Sequence, residues 1–86
     1  MKTISIIVPA YNEEATIIEL LTRVRAQTVE GFTLEVIVVN DGSSDRTSQL
    51  LSENTGLYDH LVTQNPNQGK GAAVIAGLRK ASGNFV

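Results

Sequence analysis

Apolar positions along the chain form two kinds of run, and the two kinds alternate. "ISIIVP", residues 4–9, is short, mostly β-branched and closed by Pro9, which predicts a strand. Asn12 follows as a favourable N-cap, with Glu13 and Glu14 in a first turn where negative charge suits the helix dipole. Ile17, Leu20, Leu21 and Val24 then recur at helical spacing, so residues 13 to about 27 read as an amphipathic helix. Gly31 and Phe32 mark the turn back into a second strand, "LEVIVVN", and Ser44 or Asp45 caps a second helix carrying Leu50 and Leu51. "HLVTQ" is a weaker third strand, and "NPNQGKG" is a loop rich in turn residues. "AAVIAGLRKA" is a third helix with Arg79 and Lys80 near its C-terminal end and Gly83 as its stop. Its alanines suit close packing against a sheet.

Strand and helix alternating three times is the pattern of βαβ units on a parallel sheet. "SIIV" and "VIVV" are continuous rather than alternating apolar runs, as expected of strands covered by helices on both faces. Right-handed crossovers place all the strands' C-terminal ends on one edge, where ligands of open α/β sheets bind. Pro9 to Glu14 and Val39 to Asp45 are therefore expected to face each other across one crevice. Asn40-Asp41-Gly42 lies in the middle of it. Asp41 there could hold a ligand, or could merely shape a turn.

Composition narrows the classes. Eighty-six residues make at most one small domain, and such a chain buries only about 60–65% of its unfolded surface. A hydrophobic fraction of 42% fits a globular chain. Seven basic and nine acidic residues give a net charge of −2 with no block of like charge, so nothing marks a nucleic-acid or anionic-lipid surface. The absence of cysteine excludes a disulfide framework, a thiolate nucleophile and a cysteine-based zinc site, and is compatible with a cytoplasmic setting. No apolar run approaches the length of a membrane span.

Two phosphate-binding patterns can be set aside. An acid at the end of a second strand suits the ribose of a dinucleotide. The turn after the first strand, however, reads Pro9-Ala10-Tyr11-Asn12-Glu13-Glu14, without the glycines that let a pyrophosphate approach. "GKG" at 69–71 lacks the upstream glycine and the following Ser or Thr of a P-loop.

"VPAYNEE", "EVIVVNDGSSDRT" and "NQGKGAAVIAGLRKASGNFV" together resemble the N-terminal half of the nucleotide-binding domain of family 2 glycosyltransferases, nearest the dolichyl- and polyprenyl-phosphate sugar transferases. The resemblance covers essentially the whole chain, with three motifs in register. It implies a GT-A fold: a three-layer α/β/α, Rossmann-like arrangement with a parallel sheet, here truncated at the start of the fourth strand. Residues 1–86 would be the nucleotide-binding half of that domain. By position, Pro9, Tyr11 and Glu13 would line the base and ribose of a UDP- or GDP-linked sugar, Val39 would pack on the base, and Asp41 would accept a hydrogen bond from it. Lys70 would lie near the nucleotide on the opposite wall. The residue chemistry suits these roles. A carboxylate accepts the ring N–H of uracil or guanine, Gly42 permits a sharp turn, and Tyr11 offers a flat face with a hydroxyl. Asp45 reads as an N-cap, Glu14 as serving the helix dipole, and His60 receives no role.

The resemblance further implies transfer of a sugar to an acceptor, a polyprenyl or dolichyl phosphate, by an enzyme using Mg or Mn, at the cytoplasmic face of a membrane. The D-x-D motif that holds the metal follows the fourth strand in that family, and Asp41 and Asp45 have the wrong spacing to replace it. The expectation is thus a fragment with no catalytic residues and no metal of its own. Two other readings stand beside it: a nucleotide-binding or self-associating module, associating through an exposed sheet edge, and a nucleotidyltransferase of similar topology, which "DGSSDRT" disfavours.

Overall fold

In the computed structural model, which describes residues 2–64, 69–81 and 84–85, the expected alternation is present. Strand β1 (Lys2–Ala10) leads to helix α1 (Ile17–Arg25), strand β2 (Phe32–Asn40) to helix α2 (Thr47–Glu53), and strand β3 (His60–Thr63) to helix α3 (Lys70–Lys80). Strand β4 (Asn84–Phe85) follows, and a short 3-10 turn at Thr55–Leu57 leads into β3. The four strands form one parallel sheet in the order β3-β2-β1-β4. β1 and β2 pair along their whole length, from Lys2 with Phe32 to Ala10 with Asn40. The two tails beyond Ala10 and Asn40 therefore leave the sheet side by side.

Strand parity divides the core into two layers. Ile6, Val8, Ala10, Val36 and Val38 face α1 and α2, where Ile17, Leu21 and Leu51 are buried against them. Ile7, Ile37 and Val39 face the other way, under α3, with Val62, Ala76 and Ala81. Each apolar side chain enclosed in this way contributes about 1.5–3 kcal/mol, which is why these two strands read as unbroken apolar runs. The layer under α3 is thin. Gly77 is buried, and a Cβ built on it would lie 2.5 Å from Ile7 Cγ2 and 3.3 Å from Val39 Cγ2. Small residues in this helix are what let it lie close to the sheet.

Several boundaries differ from the sequence reading for physical reasons. Pro9 does not close β1, which continues to Ala10. The Ala10 carbonyl accepts the Asp41 N–H at 2.8 Å, so Ala10 turns its backbone toward β2 and Pro9 turns its N–H-less nitrogen toward the other edge. α1 begins at Ile17, not residue 13: the N–H groups of Thr16 and Ile17 both donate to the Glu13 carbonyl in a separate turn. Leu20 is 46% exposed and does not belong to the buried stripe, which Ile17, Leu21 and the half-buried Ile18 and Val24 make instead. α3 begins two residues earlier than the alanine run, at Lys70. The expected loop at 65–68 and the expected helix stop at Gly83 lie outside the described residues.

Candidate functional site

Two polar tails meet at the C-terminal edge of the sheet, and their order comes from bonds between them. Asn12 adopts a left-handed conformation with φ at 50°, which asparagine tolerates better than most residues. Its backbone N–H donates to Ser43 Oγ at 3.1 Å. Its side-chain Oδ1 accepts the Ser44 N–H at 2.8 Å and, at 3.4 Å each, the Ser44 hydroxyl and the Asp45 N–H. The Glu13 N–H donates to Thr47 Oγ1 at 2.8 Å, and the Glu14 N–H to Asp45 Oδ2 at 3.3 Å. Asp45 Oδ1 in turn accepts both the N–H and the hydroxyl of Thr47, at 2.9 and 2.6 Å.

These bonds revise two capping expectations. Asn12 caps no helix; its side chain crosses to the other tail. The residue preceding α2 is Arg46, without a side-chain cap, while Asp45 serves the first N–H of that helix from one position further back. Burial pushes the Asp45 carboxyl up, but the Thr47 hydroxyl and the amides of Thr47, Glu14 and Asp45 itself outweigh that effect and hold it below its usual value. The ionised form is the one that accepts all these hydrogens.

Asp41 sits where the tails converge and is 3% exposed. Its Oδ2 accepts the Gly69 N–H at 2.9 Å, which ties the carboxylate to the backbone at the start of α3. Gly42, with φ at 68°, supplies the turn that carries the chain away from it. Asn40 braces the same corner, accepting the Ser43 N–H at 3.3 Å and donating to Ser48 Oγ at 2.7 Å. The corner is thus built around a buried carboxylate.

The other expected site residues divide. Tyr11, 48% exposed, and the exposed Glu13 stand on the rim beside Asp41, and Pro9 is half-buried at the end of β1. Val39, expected to pack on the base, has its side chain enclosed between the sheet and α3, because odd positions of β2 face that helix. Lys70 is the first residue of α3, directly after Gly69, and its side chain lies outside the described residues. Among the described residues no three of His, Asp and Glu converge to hold a metal ion. Nor is any helix among them long and apolar enough to cross a membrane.

Asn12, Ser43, Ser44 and Thr47 were not singled out as site residues from the sequence. One signal was available: two polar stretches follow two adjacent parallel strands, and such tails can satisfy each other's backbone groups.

The glycosyl transferase family 2 model matches residues 5–86. An undecaprenyl-phosphate 4-deoxy-4-formamido-L-arabinose transferase of Pseudomonas aeruginosa is 40% identical over 96% of this chain and 26% of its own length. A dolichyl-phosphate beta-glucosyltransferase of Trichomonas vaginalis is 42% identical over 96% of the chain and 28% of its own length. Among solved structures, S. aureus TarS 1-349 in complex with UDP-GlcNAc superposes with a TM-score of 0.80 at 34% identity, covering 100% of this chain and 26% of the 1-349 chain. The mannosyltransferase PcManGT of Pyrobaculum calidifontis, in complex with GDP-Man and Mn2+, gives 0.75 at 32% identity, covering 93% of this chain and 24% of its own. The chain spans about a quarter of the length of the curated relatives it matches.

Proposed function

From its place in glycosyl transferase family 2, to which the chain belongs, we propose that residues 1–86 bind the nucleoside part of a nucleoside-diphosphate sugar, within an enzyme that transfers the sugar to a polyprenyl or dolichyl phosphate. The observation that carries this is the buried Asp41 carboxylate at the joint of the two strand tails, with Tyr11 and Glu13 on the rim. A carboxylate held there accepts a ring N–H of uracil or guanine, and the Tyr11 ring offers a face to the nucleoside. Asp41, Asp45, Glu13 and Glu14 make this end acidic, so phosphates are directed away from it. The start of α3, with Gly69 and Lys70, is where they would go. The lipid acceptor would bring the whole enzyme to a membrane face.

The chemistry itself is assigned to other parts of the enzyme. Departure of a nucleoside diphosphate needs positive charge to stabilise it, commonly a divalent metal, and the acceptor needs a positioned base. No group of three His, Asp or Glu converges among the described residues, which supports placing a metal elsewhere in the enzyme. Purified residues 1–86 are expected to bind UDP or GDP weakly and to release neither from a sugar nucleotide, with or without Mn2+ and a polyprenyl phosphate. Metal-dependent release by this chain would overturn the division of labour.

A second expected behaviour concerns the sheet. Among the described residues β4 pairs only with Ile4 and Ser5 of β1, and β3 forms the opposite edge with Leu61 37% exposed. Strand edges of this kind recruit other strands. We propose that a second copy of the chain docks on the β1 edge beyond Ser5, so light scattering across a dilution series should show a concentration-dependent mass. A monomer at every concentration would count against it.

A further inference from the structure

Seven hydrogen bonds with donor–acceptor distances between 2.6 and 3.4 Å join or brace the two tails through three side chains, Asn12, Asp45 and Thr47. Thr47 is the centre of this arrangement. It is fully buried, and its hydroxyl both accepts the Glu13 N–H and donates to Asp45 Oδ1, while the Asp45 carboxylate also takes the Glu14 N–H. Asn12 closes the other side, accepting from Ser44 and Asp45. Tyr11 directly precedes these anchors on one tail, and Asp41 to Ser43 precede them on the other. The bonds therefore hold together the two tails on which Asp41 and Tyr11 stand.

We propose that Asn12, Asp45 and Thr47 form a buckle that holds the crevice at the width of a nucleoside, acting as positioning residues that need not touch the ligand themselves. The inference deepens the nucleotide reading and rests on it. A polar buckle has a definite consequence. When the tails are fixed in advance, a ligand does not bear the cost of ordering them, and loosening them raises that cost without removing any ligand contact. Four of these bonds fix a backbone N–H of one tail to a side chain of the other, and the Thr47 hydroxyl is the acceptor for the Glu13 N–H, so its loss frees Glu13 first. The conservative change to serine retains the hydroxyl and should restore the link, whereas valine keeps the side-chain shape and removes it.

The test compares the 86-residue chain with Thr47→Val, Thr47→Ser and Asn12→Gly, the last keeping access to a positive φ while deleting the side chain. Affinities for UDP and GDP are measured by calorimetry, amide exchange at Glu13, Ser44 and Asp45 by NMR, and global stability by urea unfolding. Expected are faster exchange of Glu13 and an affinity loss of about tenfold for folded Thr47→Val, with Thr47→Ser near the parent chain. Asn12→Gly should speed exchange of Ser44 and Asp45 and give a similar loss, and it carries the test if Thr47→Val does not fold. A purely structural role would lower the urea midpoint and leave the affinity of the folded variants unchanged, which would overturn the proposal. So would unchanged Glu13 exchange in Thr47→Val. If the parent chain binds neither nucleotide while its Glu13 amide is protected, the nucleotide reading fails and the positioning role with it, though the tails remain linked.

Discussion

Asp41→Ala should weaken binding of UDP or GDP by about ten- to hundredfold while leaving the circular dichroism of the chain unchanged. A hydrogen bond to a charged acceptor contributes about 1.5–3 kcal/mol, which corresponds to that range. The effect has two sources. The base loses its acceptor, and the Gly69 N–H loses the Asp41 Oδ2 that anchors it 2.9 Å away, so the start of α3 is no longer tied to the base end of the crevice. Tyr11→Ala, at a residue 48% exposed on the rim, should cost less because its ring is only partly removed from water. Calorimetry with both nucleotides measures both variants. An unchanged affinity in folded Asp41→Ala would remove this residue from the site.

Gly77→Ala should destabilise the chain, although alanine is the better helix former by about 1 kcal/mol. The added Cβ would meet Ile7 Cγ2 at 2.5 Å, closer than such atoms approach, and Ile7 is β-branched and held in the sheet, so it cannot swing aside. Overpacking of this kind costs about 1–3 kcal/mol and here outweighs the propensity gain. Gly71→Ala is the matching control on the same helix. Nothing lies within 4 Å of a Cβ at that position, so only the propensity gain operates and the variant should be slightly more stable. Urea midpoints decide. The penalty at Gly77 should also shrink when Ile7→Ala is combined with it, since the two sites are in contact. A Gly77→Ala chain as stable as the parent would mean that α3 sits further from the sheet.

The parallel sheet was legible because β1 and β2 are apolar without alternation, which only a sheet covered on both faces requires. Their tails could be placed together for the same reason: parallel strands end on one edge. Other features depend on relations between elements that a linear pattern does not carry. Val39 sits next to the Asn40-Asp41 corner in sequence, but strand parity turns it under α3. Leu20 has helical spacing from Ile17 and Val24, but the face that α1 presents to the sheet is turned toward Ile18 and away from Leu20. Asn12 is a good N-cap by residue type, yet a partner across the crevice takes its side chain, and α1 starts at Ile17, four residues later than expected. The close approach at Gly77 follows from the register of α3 over Ile7 and Val39, which composition alone shows only as a helix rich in small residues.

The most direct test of the central claim, that the two strand tails form a nucleoside site, is an NMR titration of isotopically labelled residues 1–86 with UDP and with GDP up to millimolar concentration. The expected result is a continuous set of amide shifts at Tyr11 to Glu13, Asp41 to Ser43 and Gly69, saturating with one of the two nucleotides and greatly reduced in Asp41→Ala. The opposite end of the sheet carries a concavity between α1 and β2, lined by Arg25, Val29, Phe32 and Leu34, which should not respond. Shifts centred on that concavity, or no saturable shifts with either nucleotide, would contradict the assignment.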